Sequence, residues 1–138
     1  MFKYLRTLNN SASAPETMRV NSAYVSEDER YCKGAIFTLF EGNMQYELEE
    51  GKPLYCLLES KSAGDGKESI IAMRIMPGMI FEVESSHGSP IAVGSLVKPT
   101  YDQDGNVACI TEESELAHFE VLANRVGGNE NLHTVIKL

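Results

Sequence analysis

Apolar and polar residues alternate along most of this chain in short bursts, and the bursts end at turn-forming residues. Met44-Gln45-Tyr46-Glu47-Leu48 alternates with a period of two, as does Ser69 to Met76, where Ile71, Met73 and Ile75 share one face and Ile70, Ala72 and Arg74 the other. Ala35-Ile36-Phe37-Thr38-Leu39, Met79-Ile80-Phe81-Glu82-Val83-Glu84, Leu96-Val97-Lys98-Pro99-Thr100, Val107-Ala108-Cys109-Ile110, His118-Phe119-Glu120-Val121-Leu122 and His133-Thr134-Val135-Ile136-Lys137 read as further strands. Met18, Val20 and Tyr24 mark a short strand after Thr17. Leu54-Tyr55-Cys56-Leu57-Leu58 is continuously apolar, which suits a strand covered on both faces.

The punctuation supports the same reading. Glu41-Gly42-Asn43, Gly51-Lys52-Pro53, Gly64-Asp65-Gly66, Pro77-Gly78, Gly88-Ser89-Pro90, Asp104-Gly105 and Gly127-Gly128-Asn129 are turn formers. About nine strands with turns roughly every 8–14 residues predict an all-β fold, a small β-barrel, β-tulip or sandwich. No helical pattern longer than ~8 residues is present, so a βαβ fold is not expected. Glu112 to Glu115 is acidic and reads as an exposed helical turn. Residues 1–16 read as an extended N-terminal arm, because Asn9-Asn10-Ser11-Ala12-Ser13-Ala14-Pro15 contains nothing to anchor a core. The apolar residues in front of it (Phe2, Tyr4, Leu5, Leu8) pack either on a partner or on the domain. Residues 17–138 are then one β domain.

Composition narrows the function. At 138 residues and 43% hydrophobic, the chain can bury a core of its own. Trp is absent, so that core rests on Ile, Leu, Val, Met and a few Phe and Tyr. The net charge of −8, with twelve scattered basic residues, argues against nucleic acid and against anionic membranes. No apolar run reaches the ~20 residues of a membrane helix, and no signal peptide is read at the start, so the protein is expected to stay in the cell that makes it.

The candidate chemistry is sparse. Cys32, Cys56 and Cys109 are widely spaced, with no CxxC, and read as buried or half-buried free thiols, the alternative being one disulfide with a spare thiol. His87 is read as solvated, and His118 and His133 as satisfied surface or edge histidines. A Cys–His nucleophile has no local signature. Asp102, Asp104, Asn106 and Glu113 match the oxygen positions of an EF-hand loop, but Val107 stands where its glycine belongs, so the segment is read as a hairpin turn. Gly64-Asp65-Gly66-Lys67 lacks the spacing of a phosphate loop. Neither a catalytic site nor a metal or cofactor is expected.

One resemblance spans nearly the whole chain. Met1-Phe2-Lys3-Tyr4-Leu5-Arg6-Thr7-Leu8-Asn9-Asn10 with Ala14-Pro15-Glu16, then Tyr31-Cys32-Lys33-Gly34-Ala35-Ile36, resemble an arm followed by a strand that opens on glycine. Arg74-Ile75-Met76-Pro77-Gly78-Met79-Ile80-Phe81-Glu82-Val83, and Val93-Gly94-Ser95-Leu96-Val97 before Asp104-Gly105, complete the pattern. In this order they resemble the capsid decoration (cement) proteins of tailed bacteriophages. The resemblance implies a trimeric virion protein, made in the host cytoplasm, that sits on the capsid exterior and binds the major capsid protein. It places Phe2, Tyr4, Leu5 and Leu8 as apolar anchors of the arm and Lys3 and Arg6 as its charge partners. Removing residues 1–16 is then expected to abolish binding and leave the domain folded. The alternatives are a small β-barrel ligand-binding protein or enzyme, with a polar cavity near His118 or Cys109, and another virion component of the tail or head completion.

Overall fold

The computed structural model describes residues 1–8, 16–21, 34–41, 43–45, 48, 51–62, 67–86, 88, 90–101, 108–113, 115–124 and 131–138, with backbone alone at 16–21, 40, 43, 59–62 and 67–69. Among these residues the chain forms strands and no helix longer than a turn. The strands are β1 (Lys3–Thr7), β2 (Glu16–Asn21), β3 (Ile36–Phe40), β4 (Asn43–Gln45), β5 (Tyr55–Ser62), β6 (Lys67–Arg74), β7 (Met79–Glu84), β8 (Leu96–Tyr101), β9 (Ala108–Glu112), β10 (Phe119–Asn124) and β11 (Leu132–Lys137). The all-β expectation holds. The strands make two antiparallel sheets, ordered β1-β7-β11-β10-β8-β9 and β2-β6-β5-β3-β4.

The chain divides into two compact units, Met1–Ala12 with Met76–Leu138, and Ser13–Ile75. The sequence pattern alone divides it differently, into an arm at 1–16 and one domain at 17–138. The six-stranded sheet belongs to the first unit. Its last strand, β9, reaches back to the end of β7 through one bridge, Ser85 to Ile110. That single bridge leaves the sheet curled rather than closed into a barrel. Pro99 is tolerated inside β8 because β10 pairs with β8 only at Leu96 and Val97, so no ladder bond is asked of the missing N–H. The core of this unit holds Phe2, Met79, Phe81, Val83, Val97, Ile110, Phe119, Val121 and Val135, all buried.

The second unit packs Ala35, Phe37, Met44, Leu57, Ile70 and Ala72 into one cluster, with Leu39 and Tyr55 against it. Phe37 stacks on Tyr55 at 5.6 Å. Cys56 and Leu57, neighbours pointing opposite ways, are both buried, as the unbroken apolar run had predicted. Thr38 is buried too, and its hydroxyl donates to the Gln45 carbonyl across the β3–β4 pair. Glu112 lies in β9 and not in a helical turn, because Val97 of β8 pairs with it.

Candidate functional site

The segment expected as an arm carries β1, an edge strand of the six-stranded sheet. Lys3 pairs with Glu82, Tyr4 with Phe81, Arg6 with Ile80 and Thr7 with Met79. The register slips between Tyr4 and Arg6, which leaves Leu5 as the extra residue of a bulge. Met1 anchors the front of the strand by donating from its ammonium group to the Ala108 carbonyl. At the other end Leu8 N–H donates to the Gly78 carbonyl at 3.0 Å. Gly78 itself has φ +89°, a backbone region that favours glycine.

The six residues assigned to the arm therefore divide. Phe2 turns inward and keeps only 2% exposure. Its ring lies 5.9 Å from Phe81 and 5.5 Å from Phe119, and Phe81 meets Phe119 edge-on at 5.9 Å. Tyr4 packs on Phe81 at 5.7 Å, and its hydroxyl shares a 2.6 Å hydrogen bond with Thr7 Oγ1. Lys3, Leu5, Arg6 and Leu8 remain exposed. The expectation that residues 1–16 can be removed without harm to the fold is corrected by these contacts: Phe2 is a core residue, and β1 covers the edge of β7.

A second feature lies in the same unit. A half-open cleft of ≈ 390 Å³ is lined by Lys3, Glu82, Asn124, Leu132, His133 and Thr134. The sequence reads His133 as a satisfied surface or edge histidine, whereas in the fold it is 1% exposed. Its Nε2 accepts the backbone N–H of Ile91 at 2.8 Å. That nitrogen therefore carries no proton, and the neutral ring holds its proton on Nδ1. The buried Oδ1 of Asn124, opposite His133 in register, has no hydrogen-bond partner, an orphan that costs about 1–3 kcal/mol of desolvation. Burial pushes the His133 pKa below its ordinary value, while the Asn131 and Val83 carbonyls pull it back less strongly. One signal in the sequence marks this residue: His133 has the same strand parity as the buried Val135.

The remaining candidates supply little chemistry. His118 is half-buried just before β10, and burial lowers its pKa, with help from the charges of Lys137 and Lys98. Lys98 also pairs with Glu113 at 3.0 Å. Burial pushes the Cys56 thiol up to about 12, so it stays protonated near neutral pH and is a poor nucleophile. Cys109 is buried in β9. Among the described residues no three His, Cys, Asp or Glu side chains gather as metal ligands. No helix there is long and apolar enough to cross a membrane. Cys32, His87 and the Asp102–Asn106 turn lie outside the described residues, although Tyr101 opposite Ala108 shows that β8 and β9 pair as hairpin strands. Compared with known protein families, with curated proteins and with solved structures, the chain matches none.

Proposed function

We propose that this protein is a binding protein of structural role, a decoration protein that docks on the exterior of a tailed-phage capsid through the outer surface of β1. The observation that carries this reading is the division of the front segment. Phe2 and Tyr4 fasten the strand to its sheet, while Lys3, Leu5, Arg6 and Leu8 are left facing out. Leu5 and Leu8 are 43% and 47% exposed, and Met1 and Met76 add further exposed apolar surface in the same unit. Two cations amid apolar side chains stand out on a chain with a charge of −8. They suit a partner surface that is apolar and acidic, as the major capsid protein would have to be at the docking place. Held rigid by its pairing with β7, the strand loses less conformational entropy on docking than a free arm would. A trimer multiplies modest contacts into high avidity.

The fitting experiment uses the full chain and empty heads assembled from the major capsid protein of the phage genome in which the chain is encoded. The paired substitution Leu5→Asp with Arg6→Glu alters only outward side chains. It is expected to leave the unfolding midpoint unchanged and to weaken co-sedimentation with heads at least about tenfold, the effect of losing ~1.4 kcal/mol. Unchanged co-sedimentation of the folded variant would remove β1 from the docking surface, and no co-sedimentation of the parent chain would remove the capsid reading altogether.

A further inference from the structure

The connection from β7 to β8, residues 85–95, is fastened at its ends by backbone and in its middle by a side chain. Ser85 N–H donates to the Asn131 carbonyl at 3.1 Å, and Ser86 N–H to the Ile110 carbonyl at 2.9 Å. At the far end Gly94 N–H donates to the Val121 carbonyl at 2.8 Å. Between them Ile91, itself buried, donates its N–H to His133 Nε2 at 2.8 Å. The acceptor is the lone pair of a buried imidazole, which a proton can fill near neutral pH, as it cannot fill a backbone carbonyl. Among the described residues, those that face the ring are uncharged. Val83 stands opposite His133 on β7 and Asn124 on β10. The Asn131 and Val83 carbonyls act on the ring as acceptors. Glu82 and Glu84, which flank Val83, and Glu120, opposite Ile136, project from the other face of the sheet. Tyr4 of β1 shares the inner face, with its hydroxyl held by Thr7 Oγ1. Lys137 has the strand parity of His133 but lies at the opposite end of β11. A proton taken up by His133 thus meets no carboxylate, and burial penalises the charge it brings.

We propose that His133 is a proton-operated latch: on taking up a proton at Nε2 it lets go of Ile91 and frees the middle of the β7–β8 connection, while the two ends stay fastened. The proton fills the lone pair that Ile91 N–H is bonded to, so two donors come to face each other. Both are then buried without an acceptor, and that cost is relieved when the Ile91 segment moves out and the two groups reach water. With the latch shut, burial holds the ring's pKa below its ordinary value. With the latch open and the ring wet, the pKa returns towards about 6.5. The open form therefore binds more protons, and opening is favoured as the pH falls below about 6.5, by up to about tenfold per pH unit until the shut form titrates as well. In acid the freed segment presents Ile91 beside Val93, which is exposed already.

The test uses the full chain alone, so its outcome is separate from that of the capsid reading. The chain is labelled with nitrogen-15, and the His133 imidazole nitrogens and the exchange rates of the Ile91, Gly94 and Val135 amides are followed from about pH 7.5 to 5, across the ordinary histidine range. Amide exchange is catalysed by hydroxide, so an amide whose opening is indifferent to pH slows as the pH falls. Gly94 is expected to slow in that way. Ile91 is expected to hold nearly its rate below about 6.5, because its opening grows by about tenfold per pH unit as hydroxide declines. It should also exchange faster than Val135 in the central strand β11. In His133→Gln the side-chain carbonyl can accept the Ile91 N–H at any pH, so Ile91 should slow as Gly94 does, whereas His118→Gln should leave the behaviour of Ile91 unchanged. Four results would overturn the proposal. His133 titrates while Ile91 slows as Gly94 does; His133 stays neutral until the whole chain unfolds; Ile91 exchanges at the rate of Val135 throughout, which makes its opening global; or Ile91 still holds its rate in a folded His133→Gln chain.

Discussion

The ring of Phe2 meets Phe81 edge-on and lies tilted against Phe119, and these three rings fill the middle of the first unit's core. Truncating a buried phenylalanine to alanine removes its transfer energy and leaves a cavity, at a cost of about 3–5 kcal/mol. That is a large share of the ~5–15 kcal/mol by which domains are stable. Phe2→Ala is therefore expected to shift the urea midpoint strongly downward, whereas Leu5→Ala, at an exposed bulge, should move it by less than about 0.5 kcal/mol. Equal effects of the two would contradict the inward and outward assignment. The histidines give a second test at this scale. Burial lowers the pKa of both His133 and His118 in the folded state. The unfolded chain then binds more protons than the folded one once the pH falls below about 6.5, so stability must rise with pH through that region. Unfolding free energy measured from pH 7.5 down to 5 is expected to decline below about 6.5. His118→Gln should remove part of that slope and leave the part due to His133. A flat profile would mean that neither ring is desolvated on folding.

The strands differ in how plainly local sequence announces them, and the difference has a physical cause. Met79–Glu84 is bounded by Pro77-Gly78 and forms β7 with the bounds its pattern predicts. From Phe81 to Glu84 its alternation reports burial directly, because successive side chains leave opposite faces, while Met79 and Ile80 are buried on both faces. The β1 segment has only Phe2 and Tyr4 in alternation, followed by a bulge at Leu5 that breaks the period. What makes it a strand is its partner β7, more than seventy residues away, and no local pattern carries that pairing. The same limit applies to the two units, since sheet membership depends on which strands pair and not on how each one reads. The cleft was legible in one part and hidden in another. The parity of His133 with Val135 marks it as inward-facing, but the bond its Nε2 accepts from the Ile91 N–H is a matter of three-dimensional packing. The cleft described above lies beside His133, away from the His118 and Cys109 positions that the ligand-binding alternative points to.

At the scale of the whole chain, the first unit is built from two separated stretches, and Ser13–Ile75 is inserted between them. An insertion of this kind is well tolerated when the host's two ends lie close together, because the loop-closure cost then changes little with the length inserted. They do lie close here: Leu8 N–H bonds to the Gly78 carbonyl at 3.0 Å, and Thr7 pairs with Met79. Replacing residues 13–75 by a short glycine–serine linker would thus join β1 to β7 as a simple antiparallel hairpin. All six strands of the sheet, its aromatic cluster and the His133–Asn124 pair would be retained. The joined chain should fold by itself, with dispersed amide resonances and the same ring-current-shifted neighbours around Phe2, Phe81 and Phe119 as the full chain. It should also keep any affinity for capsid heads, since the proposed docking surface on β1 lies wholly within this unit. A joined chain that stays soluble but shows collapsed, undispersed resonances would show that the six-stranded sheet needs Ser13–Ile75 to fold, and the two units would then have to be treated as a single cooperative structure.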